Sequence, residues 1–260
     1  MGDPGAEDGG LTPFLPPEAT DVADEVTIVS NSLAEEDLNL EELAATTPDL
    51  ILGVATENGT QAERVDELNE IAPTVLLEWS GTESWRDHLT EVAEVLDAHE
   101  RAEQVTTDYR DAVDDAREAV RDTIGPAEDT QVSLVRLQSD SEIRFETPAS
   151  FPGQIMADVG FDRPQSQLQD QAEGGTDFVS ESYENLEDGD GDLVFVFASG
   201  GYTDAPEIFD DQMWAHLDAV ADGRLYAVDF DHWGAASYPA AHRVLDDLTA
   251  AVSGELDPAV

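Results

Sequence analysis

The sequence predicts an α/β protein with two lobes joined by one long helix. Between residues 37 and 79, short apolar runs alternate with amphipathic segments, a pattern typical of a parallel sheet flanked by helices. The same alternation restarts after residue 130. One long amphipathic segment, residues 103–124, separates the two stretches.

The elements of the first lobe follow from residue spacing. In "NLEELAAT", Leu40, Leu43 and Ala44 recur at helical spacing, and Pro48 ends the helix. The continuous apolar run "DLILGVA" is typical of a buried parallel strand. We predict strands at 25–30, 49–55 and 73–79, and helices at 39–46, 60–72 and 84–98.

The second lobe is predicted in the same way, after the long helix ends at Gly125 and Pro126. That helix spans roughly 33 Å at 1.5 Å per residue, long enough to connect two lobes rigidly. We predict strands at 131–138, 142–146, 192–198 and 224–229, and helices at 150–160, 182–188, 206–217 and 240–252. The resulting domain organisation is a first lobe at 1–99, a bridging helix at 100–124 and a second lobe at 125–260.

The charge of the chain is extreme. Sixty acidic residues stand against 11 basic ones, all arginine, and the formal net charge is −49. This balance argues against a nucleic-acid partner, because phosphates would be repelled. At molar salt the Debye length falls to about 3 Å and self-repulsion is screened. The sequence therefore predicts a protein adapted to high salt.

Cysteine usage and hydropathy exclude several classes of site. There are no cysteines, so disulfides, thiolate metal sites and cysteine nucleophiles are excluded. No apolar run is long enough to span a membrane. The opening "MGDPGAEDGG" has neither the basic nor the apolar region of a signal peptide.

Six segments occur in an order that resembles a known family. They are "LEELAATTPDLILG", "ERVDELNEIAPTV", "SWRDHLTEVAEVLDAHERAEQVTTDYRDAV", "ETPASFPGQIMADVGFDRP", "MWAHLDAVADGRLYAVDFDHW" and "AAHRVLDDL". Over residues 11–252 this order resembles the helical-backbone substrate-binding proteins of ABC importers for ferric siderophores, vitamin B12 or heme. The resemblance implies two Rossmann-like lobes with parallel sheets, a stiff bridging helix, a ligand in the cleft between the lobes and no catalysis.

One departure from the family concerns the N-terminus. Family members carry a strand-helix-strand unit before the "LEELAA" segment, where this chain has only a Pro-rich stretch before residue 25. We therefore expect an N-terminal lobe that is incomplete and lacks the exported leader. A misplaced start codon, a fragment and a trimmed chain are the three explanations left open.

Candidate ligand-binding residues lie where predicted strands end or begin. Trp79 leaves the carboxyl end of a strand, the edge at which open α/β sheets bind ligands, and its indole suits stacking on a chelate. Guanidinium groups pair bidentately with anionic chelates. Packing or surface ion pairing is the alternative for each candidate. The candidates are Trp79, Arg136, Arg144, Tyr202, Trp233 and Tyr238.

The resemblance also implies two docking carboxylates. Family members present one acidic residue on each lobe to arginines of the permease, and Glu63 and Glu207 match those positions here. With 60 carboxylates in the chain, an ordinary surface role is the alternative for both.

Motifs for other chemistry are absent from the sequence. No phosphate-binding glycine loop, nucleophile elbow or zinc-protease motif occurs, and the five histidines are scattered. His232 alone, next to Trp233, is a weak candidate for a metal ligand. The acidic turn "EDGDGD" lacks the spacing of a calcium loop.

The function expected from the resemblance is that of an extracytoplasmic substrate-binding protein of an ABC importer. Its ligand is an iron-siderophore, with cobalamin and heme left open, and its iron arrives only within that chelate. The expected partners are the permease subunits, with the protein monomeric and lipoprotein-anchored at the outer face of the membrane. The alternatives are a degenerate binding or scaffold protein and, less well supported, a metal-cofactor enzyme.

Overall fold

A computed structural model describes residues 26–27, 38–55, 64–139, 141–168, 176–198, 208–209 and 211–260. The chain divides into two compact units, residues 1–105 and 106–260. The predicted strand at 25–30 falls almost entirely outside the described residues.

In the described residues before α4, the first unit contains a pair of parallel strands and three α-helices. Its elements are α1 (Leu40–Ala45), β1 (Ile51–Ala55), α2 (Val65–Ile71), β2 (Thr74–Glu78) and α3 (Trp85–Val95). Asn39 caps α1, because its side chain accepts hydrogen bonds from the backbone N–H groups of Glu41 and Glu42. Strands β1 and β2 pair in parallel, as the alternation predicted.

The predicted long helix is observed as α4 (His99–Thr123). Its buried stripe, in the part that belongs to the second unit, is Tyr109, Val113, Ala116 and Val120. Arg117 donates from Nε to the carbonyl oxygen of Val159 at 3.1 Å and from Nη2 to that of Asp158 at 2.5 Å. These two bonds satisfy carbonyl groups at the end of a neighbouring helix.

The second unit is built on a five-stranded sheet. Its strands are β3 (Val132–Ser139), β4 (Glu142–Glu146), β5 (Phe178–Ser182), β6 (Leu193–Ala198) and β7 (Leu225–Ala227), in the order β5-β4-β3-β6-β7. Pairs β3–β6 and β6–β7 are parallel. Strand β4 returns directly after β3, and the pair β3–β4 is antiparallel. The pair β4–β5 is antiparallel as well. The expectation of a parallel sheet is therefore corrected to a mixed sheet.

Helices cover this sheet. They are α5 (Phe151–Val159), α6 (Asp218–Ala221), α7 (Phe230–Trp233) and α8 (Tyr238–Ser253). Ser150 and Ser237 cap α5 and α8 through their hydroxyl groups. Gly160 and Gly254 end the same two helices in the left-handed conformation, which glycine adopts without strain.

The core of the second unit lies on both faces of the sheet. All six residues of β6 are buried, as expected for a central strand covered on both sides. On one face Val135, Ile143 and Phe145 join a cluster with Trp214. On the other face Phe195 stacks on Trp233, with ring centroids 4.9 Å apart.

Two predicted elements of the second unit need correction, and three observed ones were not predicted. Residues 183–189 form a 3-10 helix instead of an α-helix, and Asn185 interrupts it with non-helical backbone angles. Of the predicted helix at 206–217, the described part contains only short 3-10 turns, including Trp214–His216. Strand β5 and the short helices α6 and α7 are not anticipated from the sequence, because each lacks a long periodic pattern.

Candidate functional site: an arginine pair on the second sheet

Two arginines lie side by side on one face of the second sheet. Arg136 of β3 is directly opposite Arg144 of β4. On the flanking strands, Phe197 of β6 is the neighbour of Arg136 and Ser180 of β5 is the neighbour of Arg144. Two like charges directly opposite each other on antiparallel strands destabilise the sheet unless an anion balances them. We call Arg136 and Arg144 the arginine pair.

Each guanidinium of the arginine pair stacks on an aromatic ring. The Cζ atom of Arg136 lies 4.4 Å from the ring centroid of Phe230, and that of Arg144 lies 3.8 Å from the centroid of Phe178. Such cation–π contacts hold a guanidinium in place without using its hydrogen-bond donors. The Nε atoms of both arginines are buried and have no hydrogen-bond partner in the described part of the chain. The described residues therefore leave part of the hydrogen-bonding capacity of each guanidinium unsatisfied.

A buried carboxyl lies next to the arginine pair. Glu146 ends β4, two residues beyond Arg144, and its side chain is on the same face of the sheet because strand side chains alternate. Only 5% of Glu146 is exposed. Burial raises the pKa of Glu146 to about 7; the positive charge of Arg136 opposes this rise, and the carboxylate of Asp177 adds to it.

Arg163 is a third guanidinium of this region. It donates from Nη2 to the carbonyl oxygen of Glu146 at 2.5 Å and to the side chain of Gln167. Its Nε and Nη1 atoms are buried and have no partner among the described residues. Burial lowers the pKa of Arg163 to about 9, which is still above neutral pH, so the group stays charged. In a chain of net charge −49, this concentration of arginine is a local exception.

The buried carboxyl makes stability depend on pH. Because the folded pKa of Glu146 lies above its usual value, its contribution to stability is present below about pH 4.5 and is lost as pH rises through about 7. We expect Glu146→Gln to match the wild type near pH 4.5. Above pH 8 the variant should be more stable by about 3 kcal/mol.

Denaturant unfolding in molar KCl at several pH values measures this difference. Glu142→Gln is a matched control, since Glu142 lies on the same strand and is exposed. A constant difference between Glu146→Gln and wild type across this pH range would show that Glu146 does not titrate as described.

Trp79 is placed as predicted, at the end of a parallel strand. It follows β2 directly, and its backbone N–H donates to the carbonyl oxygen of Ala55 at 2.9 Å. The half-buried indole makes an edge contact with His88, with ring centroids 5.2 Å apart. Trp85 is only 2% exposed, as expected for a core residue. A ligand role for Trp79 stays a prediction.

Trp233 and Tyr238 lie in packed positions of the second unit. Trp233 is 0% exposed, and its indole N–H donates to Asp247 at 2.8 Å. A side chain with no exposed surface cannot contact a ligand in this arrangement. Core packing therefore explains Trp233 better than ligand binding does. Tyr238 begins α8, is nearly buried and makes an edge contact with Tyr109. Neither residue is included in the binding site proposed below.

Comparison with known proteins identifies the family. The model of the family described as periplasmic binding protein matches residues 16–232 of this chain. The chain belongs to the periplasmic binding protein family.

Relatives of this binding protein include two curated iron-uptake proteins. It is 32% identical over 235 residues to the probable siderophore-binding lipoprotein YfiY of Bacillus subtilis (strain 168), covering 86% of this chain and 69% of that protein. It is 29% identical over 215 residues to the ferric enterobactin-binding periplasmic protein FepB of Escherichia coli O6:H1, covering 81% of this chain. The match spans 65% of FepB, just under two thirds.

A solved structure shows the same fold. The siderophore periplasmic binding protein from the fuscachelin gene cluster of Thermobifida fusca superposes with a TM-score of 0.70 at 25% identity. The superposition covers 94% of this chain and 87% of that chain. The α/β architecture predicted from the sequence is thereby confirmed for this binding protein.

Three predicted site residues lie outside the described residues of this binding protein. They are the ligand candidate Tyr202 and the docking candidates Glu63 and Glu207. Their roles stay predictions.

The described residues contain neither a metal-binding cluster nor a membrane-spanning helix. There, no group of three or more His, Asp or Glu side chains is placed to hold a metal ion. His232, the weak metal candidate, instead contacts Asp247 through Nε2 at 2.7 Å. None of the described helices combines the length and the apolar character needed to cross a bilayer.

Four members of the arginine region of this binding protein were not predicted from the sequence: Phe178, Phe230, Glu146 and Arg163. Phe178 and Phe230, which stack on the arginines, lie in β5 and α7, two elements that the sequence did not predict. Glu146 belongs to the alternating segment "EIRFE", which places three charged residues on one face of a strand. That alternation is a usable signal for a charged sheet face, although the pattern does not tell which carboxyl is buried.

The burial of Trp233 predicts a loss of stability when it is truncated. Trp233→Ala removes the stack with Phe195 and the hydrogen bond to Asp247. We expect the free energy of unfolding to fall by about 3–5 kcal/mol, as for other large-to-small core changes. Denaturant unfolding in molar KCl checks this expectation. If Trp233→Ala keeps wild-type stability but loses ligand binding, Trp233 is a ligand-binding residue and the packing explanation is wrong.

Proposed function

We propose that this protein is the extracytoplasmic substrate-binding component of an ABC importer and that it binds an anionic ferric siderophore or a related chelate through the arginine pair. It acts without catalysis and delivers the chelate to a permease. In the cell it is held at the outer face of the membrane.

The arginine pair is the observation that carries this proposal. Arg136 and Arg144 are adjacent on the sheet, supported by aromatic rings, and each has an unpartnered buried Nε. Ferric complexes of catecholate and carboxylate siderophores are anions, and guanidinium is the side chain best suited to carboxylate-like oxygens. The pair therefore offers charge and donors that such a chelate complements.

The relatives support the same ligand class. YfiY is named a probable siderophore-binding lipoprotein and FepB a ferric enterobactin-binding protein. This chain matches most of the length of each, so a similar cargo and a permease partner are part of the proposal. In molar salt, long-range electrostatic attraction between the protein and an anionic ligand is screened and contributes little to binding. Short, aromatic-backed arginine contacts keep their effect there.

The test is a tryptophan-fluorescence titration in about 3 M KCl. The panel contains ferric enterobactin, ferric citrate, a ferric hydroxamate, heme and cobalamin, with free N-acetyltryptophanamide as the correction for light absorbed by the ligands. We expect saturable quenching by at least one anionic ferric chelate, with a Kd in the micromolar range or tighter. If none of the ferric chelates binds saturably, a degenerate binding protein or scaffold is the better explanation.

A further inference from the structure

Glu146 is placed to act on the arginine pair from within the protein. Arg136 faces Arg144 across the β3–β4 ladder, and Glu146, two residues further along β4, is the diagonal neighbour of Arg136. Diagonal partners on one sheet face lie about 7–8 Å apart, within reach of long side chains. Glu146 is buried, whereas both arginines are half-exposed.

We propose that Glu146 is the internal counter-ion of the arginine pair, that it determines how much negative charge the pair accepts from a ligand, and that it takes up a proton when an anionic chelate binds. This inference rests on the function proposed above and concerns its specificity. Glu146 itself touches no ligand; it acts through Arg136.

Among the described residues, four charged groups act on Glu146 or on Arg136. Arg136 lies on β3, Arg144 on β4, Asp177 just before β5 and Arg163 after α5. With both carboxyls ionised, three guanidiniums exceed two carboxylates by one charge. With Glu146 protonated, the excess is two. Protonation of Glu146 therefore increases the positive charge that the arginine pair presents to an anion.

Burial is the largest influence on the Glu146 carboxyl, and it favours the protonated form because it raises the pKa of that group. The side-chain hydrogen bond with Ser150 acts in the opposite direction, as do the positive charges of Arg136 and Arg163. The Ser150 Oγ also lies 2.9 Å from the carbonyl oxygen of Thr147 and accepts from the N–H of Gly153. Because burial outweighs the opposing effects, the pKa of Glu146 stays at about 7, where a nearby anion changes its protonation.

A ligand anion adds negative charge beside Glu146 and so raises its proton affinity further. By linkage, any proton uptake on binding means that affinity rises as pH falls. If the ligand raises the pKa of Glu146 by about one unit, affinity for the anionic chelate should be roughly tenfold higher at pH 6 than at pH 9. At pH 7.5 binding should take up about half a proton.

Isothermal titration calorimetry in about 3 M KCl tests this inference. The probes are ferric enterobactin and ferric citrate, titrated at pH 7.5 in phosphate and in Tris, whose ionisation enthalpies differ. The buffer dependence of the binding enthalpy gives the number of protons taken up. Wild type, Glu146→Gln and the exposed control Glu142→Gln are compared, and the affinity is followed from pH 6 to 9.

We expect proton uptake in wild type and in Glu142→Gln, and its loss in Glu146→Gln. The Gln variant, which mimics the protonated acid, should bind as tightly at pH 9 as wild type does at pH 6. Binding by wild type without proton uptake, or equal uptake in wild type and Glu146→Gln, overturns the role of Glu146 and leaves the proposed function standing. Failure of both probes and of the remaining ferric chelates to bind overturns the proposed function and this inference with it.

Discussion

Raising KCl from about 0.1 M to about 3 M is expected to raise the midpoint of thermal unfolding by about 10–20 °C. The chain carries 60 acidic and 11 basic residues, so even complete ion pairing would leave most carboxylates unbalanced. At low salt their mutual repulsion favours the unfolded chain, and at molar salt the Debye length of about 3 Å removes it. About 5 kcal/mol of relieved repulsion corresponds to this shift, at about 2–4 °C per kcal/mol for a protein of this size.

The outer surface of α4 illustrates the imbalance. Arg117 pairs with Asp114, and Arg121 pairs with Glu118 and Asp122, all at exposed positions. Exposed pairs of this kind contribute little to stability, because solvent screens them, and they do not offset the net charge. Screening by dissolved ions is therefore the main source of the expected stabilisation.

Thermal melts followed by circular dichroism measure the shift, and sucrose at matched osmolality is the control. Sucrose is excluded from protein surfaces but does not screen charge, so it should raise the midpoint much less than KCl does. A midpoint independent of KCl, or an equal rise in sucrose, would contradict the adaptation to high salt.

Removing the arginine pair is expected to have the largest effect on ligand affinity. Arg136→Gln and Arg144→Gln should each weaken the binding of an anionic ferric chelate by about thirtyfold, or about 2 kcal/mol, since each removes charge-assisted hydrogen bonds in a half-buried site. Gln keeps a polar, uncharged side chain at each position. Molar salt weakens surface pairs but leaves such partly desolvated contacts largely intact.

Arg121→Gln is the matched control for this prediction. Arg121 lies in the same unit, is exposed and pairs with neighbours on its own helix. Titrations with ferric enterobactin or ferric citrate, together with unfolding curves for each variant, separate lost binding from lost stability. Equal affinity of wild type and both pair variants, with all proteins folded, would remove the arginine pair from the site.

Much of the fold could be predicted because the strongest elements have long, regular patterns. The amphipathic stripe of α4 and the apolar run of β6 led to helix and strand at nearly the observed bounds. Strand β5 was missed because "FVSES" is short and half polar, as expected for an edge strand. The antiparallel return of β4 depends on a tight connection after β3, which strand patterns alone do not reveal.

The candidate site was only partly predictable, for a related reason. The arginines could be selected from the sequence because basic residues are rare in this chain. Their adjacency depends on the register of β3 against β4, which no local pattern fixes. Trp233 was selected from the sequence as a ligand-binding residue, but it packs in the core. Helix α7 places its indole against Phe195 instead of leaving it exposed at the end of the strand.

The structure of the protein bound to an anionic ferric chelate, determined in molar KCl, tests the central claim most directly. We expect anionic oxygens of the chelate within about 3 Å of guanidinium nitrogens of both Arg136 and Arg144, the distance of a charge-assisted hydrogen bond. The rings of Phe230 and Phe178 should still lie against the two guanidiniums. A chelate bound with both guanidiniums out of hydrogen-bond reach would contradict the account.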